Sequence, residues 1–436
     1  MTSLTFRPAT AVAGTIAVPP DKSLTHRAFL LGAISDRPVV VDDPLDSEDT
    51  RATLNAVRAM GAGVEGSIES GRVVITGRGV RGLTPPPVID CGNAGTLMRL
   101  AAGIIVGQAP GEVTVLDGDD SLRTRPMGRV ADPLVAMGAA VIPAEGGTPP
   151  MAVRPGLPMH GMVHELPMAS AQVKSCVLLA GLNADGETWV REPVPSRDHT
   201  ERMLRAAGVD VLERDGMVGV TGPVRGLSLP DVRVPGDFSS AAFAIVAGVL
   251  RGDPAVRVMG VNLNPGRTGL LGVLQRMGAD VTVESGPDVA GEPCGDVLVR
   301  RAPMLHATDV TAEEVPSMVD EVPLVGLLGA LAAGTTTVSG AGELRVKESD
   351  RIATVVELLR AVGADADERE DGFVVRGQMS IPGGEVWSHG DHRLAMLGAL
   401  TGLVSERGVT VHGMDAAAVS YPGFTDDMVA IGAVAT

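Results

Sequence analysis

Aromatic residues make up only 2% of this 436-residue chain: one Tyr, two Trp and six Phe. A platform on which nucleic-acid bases stack needs more aromatic faces than that. Lysine is scarcer still, with three in the chain, and no run of basic residues occurs. A net charge of −17 leaves no positive field for a phosphate backbone or an anionic bilayer. Neither nucleic acid nor a membrane is therefore expected as a partner. The three cysteines, Cys91, Cys176 and Cys294, are odd in number and far apart. They form neither a disulfide framework nor a zinc spacing, which suits a reducing compartment. No apolar stretch reaches the length of a membrane span, and Met1 to Thr10 is too short and polar for a signal sequence. A soluble, cytoplasmic protein is expected. Its cores must come from Ala, Val, Leu, Ile and Met, with 56 glycines and 31 prolines supplying turns.

What is abundant is arginine, which makes up all but three of the 36 basic residues. Lys survives only at Lys22, Lys174 and Lys347. An ammonium is a compact, mobile point charge and guanidinium a rigid fork, so a lysine retained against this bias suggests a chemical reason. Lys22 and Lys347 lie in dense polar stretches, Asp21–Arg27 and Arg345–Arg351, whereas Lys174 lies in an apolar helical run.

Length alone allows about three domains; the repeats argue for two. An amphipathic stretch closing on glycine recurs six times, at Gly61, Gly138, Gly208, Gly278, Gly363 and Gly432. The intervals are 77, 70, 70, 85 and 69 residues. Glycine just past a helix, in the left-handed conformation that ends it, explains the signature. A second, more apolar helix also recurs six times, starting near Ser23, Asn93, Ser170, Ser239, Asp320 and Asp391. Helices apolar nearly all round should be buried. With short β-branched strands such as Val73-Val74-Ile75, each unit of roughly seventy residues is an α/β repeat. Three repeats precede about Asp231 and three follow, so the expected domains are 20–232 and 1–19 with 233–436.

The buried helices begin with polar clusters: Lys22-Ser23, Asn93 to Thr96, Ser170 to Gln172, Asp237 to Ser240, Asp320-Glu321 and Asp391 to Arg393. Capping accounts for many of the Ser, Asn and Asp residues. Lys22, Arg27, Arg99 and Arg393 lie within a turn or two of these ends, where the helix dipole disfavours a cation unless an anion is bound. The pattern points to a small, multiply charged anion as ligand. Asp320 lies between apolar Met318-Val319 and a buried helix, and Glu348 between Lys347 and Arg351; a half-buried carboxylate near cations suits general acid–base work. Each also has a plain structural reading, as a helix cap for Asp320 and an i,i+3 ion pair with Arg351 for Glu348. No P-loop, nucleophile elbow or H-E-x-x-H motif is present.

Together these motifs resemble the EPSP synthase family (3-phosphoshikimate 1-carboxyvinyltransferases). The match runs through Lys22 to Arg27, Gly92 to Thr96 with Arg99, Arg125 to Met127 and Ser170 to Gln172. It continues through Ser196 to Glu201, Leu344 to Arg351 and Asp391 to Arg393, in the family's order. The resemblance implies two inside-out α/β domains of three βαβαββ-type repeats each, with the active site in a cleft that closes on its substrates. It implies transfer of the enolpyruvyl group of phosphoenolpyruvate to the 5-hydroxyl of shikimate 3-phosphate, through a tetrahedral intermediate, with no metal or cofactor. Asp320 matches the residue that takes the hydroxyl proton and Glu348 the proposed donor to the methylene carbon. Lys22 matches the cation that touches both substrates.

By the same resemblance Lys22, Gly95, Arg125, Gln172, Lys347, Arg351 and Arg393 surround phosphoenolpyruvate. Lys22, Ser23, Arg27, Ser170, Gln172, Arg197, Asp320 and Lys347 contact shikimate 3-phosphate. Replacing Lys22 or Lys347 by Arg is expected to lower kcat/KM at least about tenfold, and Lys174→Arg to be nearly silent. Two departures stand out: Ala171 occupies the place of a second Ser found in many members, and Val419 to Pro422 lacks a Lys that one branch carries. Gly95 leaves room where a bulkier residue obstructs glyphosate in some relatives, so inhibition by glyphosate is expected. The rivals are a sister enolpyruvyl transferase acting on UDP-N-acetylglucosamine and a non-catalytic anion-binding repeat protein. The first typically carries a reactive Cys on a loop for which Gly118 to Pro126 has none. The second gains nothing from carboxylates in its site. A monomer is expected.

Overall fold

All six glycine-closed stretches are helices in the computed structural model, which describes residues 2–436. They are Glu48–Ala59, Gly128–Ala136, His199–Ala206, Gly269–Arg276, Arg351–Ala361 and Phe424–Ala430. The glycine two residues past each has φ between 84° and 113°, a conformation in which a Cβ would be strained. The six apolar helices are Lys22–Ala33, Gly95–Val106, Ala171–Gly181, Phe238–Arg251, Val322–Ala330 and His392–Val404, and nearly every residue in them is buried.

Strands pair into six four-stranded sheets with one shared plan. Val88–Asp90 lies parallel to Thr114–Asp117, which lies antiparallel to Met151–Arg154, itself antiparallel to Ala140–Pro143. A parallel neighbour needs a crossover, and the buried helix Gly95–Val106 supplies it. The amphipathic helix Gly128–Ala136 then leads into the last two strands, so the repeat is βαβαββ. Three sheets borrow a strand from far along the chain. Ser3–Arg7 inserts between Val409–His412 and Val434–Ala435. Val12–Ala17 joins Gly252–Asn262, and Val232–Arg233 joins Val39–Asp42.

Two compact units result. One holds the stretch up to Pro19 with Gly236–Pro287 and Pro293–Thr436; the other holds Pro20–Pro235 and Asp288–Glu292. The short excursion Asp288–Glu292 was not foreseen from sequence, which assigned all of 233–436 to one domain. In the first unit Phe6, Phe243, Phe373 and Phe424 join Leu, Val and Ala in one core. In the second the core is almost wholly aliphatic, with Phe29 its one fully buried phenyl ring. No described helix is long and apolar enough to cross a membrane.

Close helix packing in the second unit depends on Gly103. A Cβ there would sit 2.2 Å from the carbonyl oxygen of Cys176 on the neighbouring buried helix. Backbone cannot swing aside as a side chain can, so Gly103→Ala is expected to cost about 3 kcal/mol, the top of the overpacking range. Thermal unfolding checks this, and a variant that melts with the wild type contradicts it.

Candidate active site

Polar starts of the buried helices are partly caps. Asp21, Ser170, Asp237 and Asp391 each accept the backbone N–H of the second or third residue of their helix. The helices starting at Gly95 and Val322 have no side-chain cap. The N-cap of the helix starting at Val322 is Glu321, one residue after Asp320, and the Asp320 carboxylate faces two guanidinium groups.

Within the first unit four of the expected residues converge. Arg351, almost fully buried, follows the N-cap Asp350 at the start of its helix. All three of its nitrogens engage carboxylates: Nη1 to Asp320 Oδ1 at 3.3 Å, Nη2 to Glu348 Oε2 at 2.6 Å, and Nε to Asp391 Oδ2 at 2.8 Å. The expected ion pair of Glu348 with Arg351 is present, but as one arm of a larger set. Arg393 Nε lies 3.5 Å from Asp320 Oδ1. Asp391 carries three loads, accepting from Arg351, from Ser349 Oγ at 3.0 Å and from the Arg393 backbone N–H at 2.9 Å. Burial works to raise the Asp391 carboxyl, yet the Arg351 guanidinium holds it below its ordinary value. Burial likewise opposes the charge of Arg351, but Glu348, Asp391 and Asp320 hold it well above its usual range. Burial raises neighbouring Glu321 despite nearby Arg393. Lys347 stands apart from this set, its Nζ 3.4 Å from Glu343 one turn earlier.

The second unit gathers a more basic set. Arg99 donates to Gln172 Oε1, and Gln172 Nε2 donates to Thr96 Oγ1 at 2.9 Å. Arg125 Nη2 donates to Asn93 Oδ1 at 2.6 Å. Gly95 lies beneath both cations: a Cβ on it would stand 3.1 Å from Arg99 Nη1 and 3.4 Å from Arg125 Nη1. Lys22 Nζ pairs with Asp49 Oδ2 at 3.1 Å. Against burial, which works to raise it, Lys22 holds the Asp49 carboxyl low. His26 is itself no proton carrier, because burial pushes its pKa down to about 3 and Thr53 Oγ1 holds its Nδ1 at 2.6 Å.

Arg27 is buried and locked to protein: Nε to Thr200 Oγ1 at 2.8 Å, Nη2 to Ser175 Oγ at 3.1 Å, Nη1 to the Ser23 carbonyl at 3.1 Å. Burial lowers its pKa to about 10, which leaves it charged at neutral pH. Ser170 caps its helix and also donates its backbone N–H to Glu192 Oε1 at 2.8 Å. Arg197 lies half-buried on the loop before the helix His199–Ala206 in the same unit, its charge opposing that of Arg27.

Sequence reasoning passed over Asp391, Asp49, Glu192 and Glu201 as site residues. Asp391 carried a signal, since it opens a polar cluster beside Arg393. Glu201 closes the matched stretch Ser196 to Glu201 and Glu192 lies outside every matched stretch; both meet Lys174 only in three dimensions. Lys174, placed by sequence in an apolar helical run and expected to tolerate Arg almost silently, has its ammonium buried between those two carboxylates. Among the described residues no group of three or more His, Cys, Asp or Glu is arranged to hold a metal ion.

Comparison with known proteins gives one consistent result. The family model for EPSP synthase (3-phosphoshikimate 1-carboxyvinyltransferase) matches residues 6–428. A 3-phosphoshikimate 1-carboxyvinyltransferase of Xanthomonas oryzae pv. oryzae is 47% identical over 96% of this chain and 94% of its own. One from Gloeobacter violaceus is 46% identical over 98% of each chain. The solved EPSP synthase of Acinetobacter baumannii aligns with a TM-score of 0.89 at 40% identity, covering 100% of this chain and 99% of its own. The enolpyruvyl transferase NikO of Streptomyces tendae shares the fold, with a TM-score of 0.77 at 19% identity over 100% of this chain and 98% of its own.

Proposed function

The chain belongs to the EPSP synthase family, and from that premise we propose that it joins phosphoenolpyruvate to shikimate 3-phosphate with release of phosphate. One observation carries the chemistry: Asp320 and Glu348 are held on separate nitrogens of the same buried guanidinium, at 3.3 and 2.6 Å. Two carboxylates fixed in one place can take a proton from one substrate and give one to the other.

In the first step the 5-hydroxyl oxygen bonds to C2 of phosphoenolpyruvate as its proton passes to Asp320, and Glu348 protonates C3. A tetrahedral intermediate with a C3 methyl group results. In the second step the C2–O bond to phosphate breaks as C3 returns its proton to Glu348, and the proton held on Asp320 leaves with the phosphate, giving the enolpyruvyl ether and restoring both carboxyl groups. Both substrates are anions, so their approach needs fixed positive charge. Lys22, Arg99 and Arg125 supply it in the second unit, Arg393 in the first, and preorganised cations need no rearrangement as charge moves. Gln172, Gly95 and Lys347 are assigned to phosphoenolpyruvate with Lys22, Arg125, Arg351 and Arg393. Ser23, Arg27, Ser170 and Arg197 are assigned to shikimate 3-phosphate. Both sets serve the same reaction, and the protein is expected to work as a cytoplasmic monomer.

Phosphate release tests the reading directly. Phosphoenolpyruvate with shikimate 3-phosphate should liberate phosphate, and phosphoenolpyruvate with UDP-N-acetylglucosamine should not. The reverse pattern, or release with neither pair, overturns the proposal. With hydrogen at Gly95 and the guanidinium groups of Arg99 and Arg125 beside it, glyphosate is expected to inhibit competitively against phosphoenolpyruvate. Initial rates that stay unchanged in millimolar-scale inhibitor at low phosphoenolpyruvate contradict that expectation.

A further inference from the structure

Lys174 is the lysine for which neither the mechanism nor the family resemblance gives a role. It falls in the first turn of the helix Ala171–Gly181, where the dipole disfavours a cation. It is also almost fully buried, at 4% exposure. Its ammonium has three N–H donors and meets three acceptors: Glu192 Oε2 at 2.8 Å, Glu201 Oε1 at 2.9 Å and the Ser196 carbonyl at 3.2 Å. Burial works against the charge, but Glu201 and Glu192 outweigh it and hold the ammonium above its ordinary value.

What these partners hold in turn gives the cluster its meaning. Glu192 Oε1 accepts the Ser170 backbone N–H at 2.8 Å and the Ser196 hydroxyl at 2.6 Å. Its Oε2 accepts the Ser196 N–H at 3.1 Å beside Lys174. One carboxylate thus ties the helix start at Ser170 to the loop that carries Arg197, and Lys174 fixes that carboxylate and the loop's carbonyl together. Glu201 extends the connection. The adjacent Thr200 and Ser175 share a hydrogen bond of 2.7 Å, and both accept from Arg27. Two cations and two carboxylates, Lys174, Arg27, Glu192 and Glu201, leave the buried set formally neutral.

We propose that Lys174 is the positioning residue of the subsite for shikimate 3-phosphate, setting Ser170 and Arg197 through Glu192 and the Ser196 carbonyl. The inference rests on the assignment of Ser170 and Arg197 to shikimate 3-phosphate made above. It also explains why lysine persists here in a chain that otherwise uses arginine. The three acceptors surround one nitrogen, whereas a planar guanidinium is longer and presents its donors as a fork.

Titration calorimetry with shikimate 3-phosphate alone, with steady-state kinetics and thermal melting, tests this on the full chain. Lys174→Arg keeps the charge and Glu192→Gln keeps the shape, so both are made. Each is expected to weaken shikimate 3-phosphate binding by about tenfold or more while the KM for phosphoenolpyruvate changes by less than about threefold. A purely structural role would lower the melting temperature and worsen both substrates together, and that parallel loss overturns the proposal. So does binding within about twofold of wild type in both variants. Should Lys174→Arg fail to fold, Glu192→Gln alone decides by the same split. Wild-type protein that neither binds shikimate 3-phosphate nor releases phosphate with it would overturn the functional reading itself, a distinguishable result.

Discussion

Arg351→Met is expected to abolish activity and to cost about 3–5 kcal/mol of stability, the range for stranding a buried charge. The guanidinium is the common partner of Asp320, Glu348 and Asp391. Methionine fills similar volume but offers no donor. Glu348 is about one-third exposed and can turn to water, whereas Asp391 has no exposed surface, so most of the loss falls on Asp391. The sign of the pH effect follows. With Arg351 present the Asp391 carboxyl is held low, so its contribution is full above the ordinary carboxylate range and fades as pH falls through the depressed value. Without Arg351 burial acts with less opposition and raises that carboxyl. Its protonated form is then tolerated in acid, and stability is lost as pH rises through the raised value. The gap in melting temperature between wild type and variant should therefore widen from acid to neutral pH. A gap that is constant across that window, or a variant that retains activity, would sink this account of Arg351.

Much of the fold was legible because its signals are local. A glycine two residues past each amphipathic helix must take a left-handed conformation, and the six copies at Gly61, Gly138, Gly208, Gly278, Gly363 and Gly432 all do. The all-apolar helices announced their own burial. The borrowed strands were not legible, because Ser3–Arg7 pairs with Val409–His412 across nearly the whole chain and nothing in either segment names the other. The same limit applies to side-chain partnerships. Arg351 and Glu348 are three residues apart and could be paired by eye, yet Asp391 reaches the same guanidinium from forty residues away. Lys174 shows the limit most plainly. Its neighbours in sequence are Val173 and Ser175, which suggest packing, while its neighbours in space are Glu192 and Glu201.

Asp320→Asn is expected to lower kcat by about 10²–10⁴-fold, the range for losing a positioned general base, with little change in melting temperature or in either KM. The substitution is nearly isosteric. The amide oxygen can still accept from Arg351 Nη1 and stay beside Arg393 Nε, the two contacts at 3.3 and 3.5 Å. An amide cannot take the 5-hydroxyl proton, however, so the attacking oxygen must add to C2 while still carrying it. Residual turnover remains because the cations still position and screen the substrates. The contrast with Arg351→Met is diagnostic: one change removes a proton acceptor from an intact cluster, and the other dissolves the cluster. Lys22 is the competing candidate, since by the resemblance it touches both substrates, but only its neutral amine could accept the proton, and in this structure it is an ammonium paired with Asp49 at 3.1 Å. If Asp320→Asn retained kcat within about tenfold of wild type while Lys22→Met did not, the proton would pass to lysine and the assignment of Asp320 as base would fall.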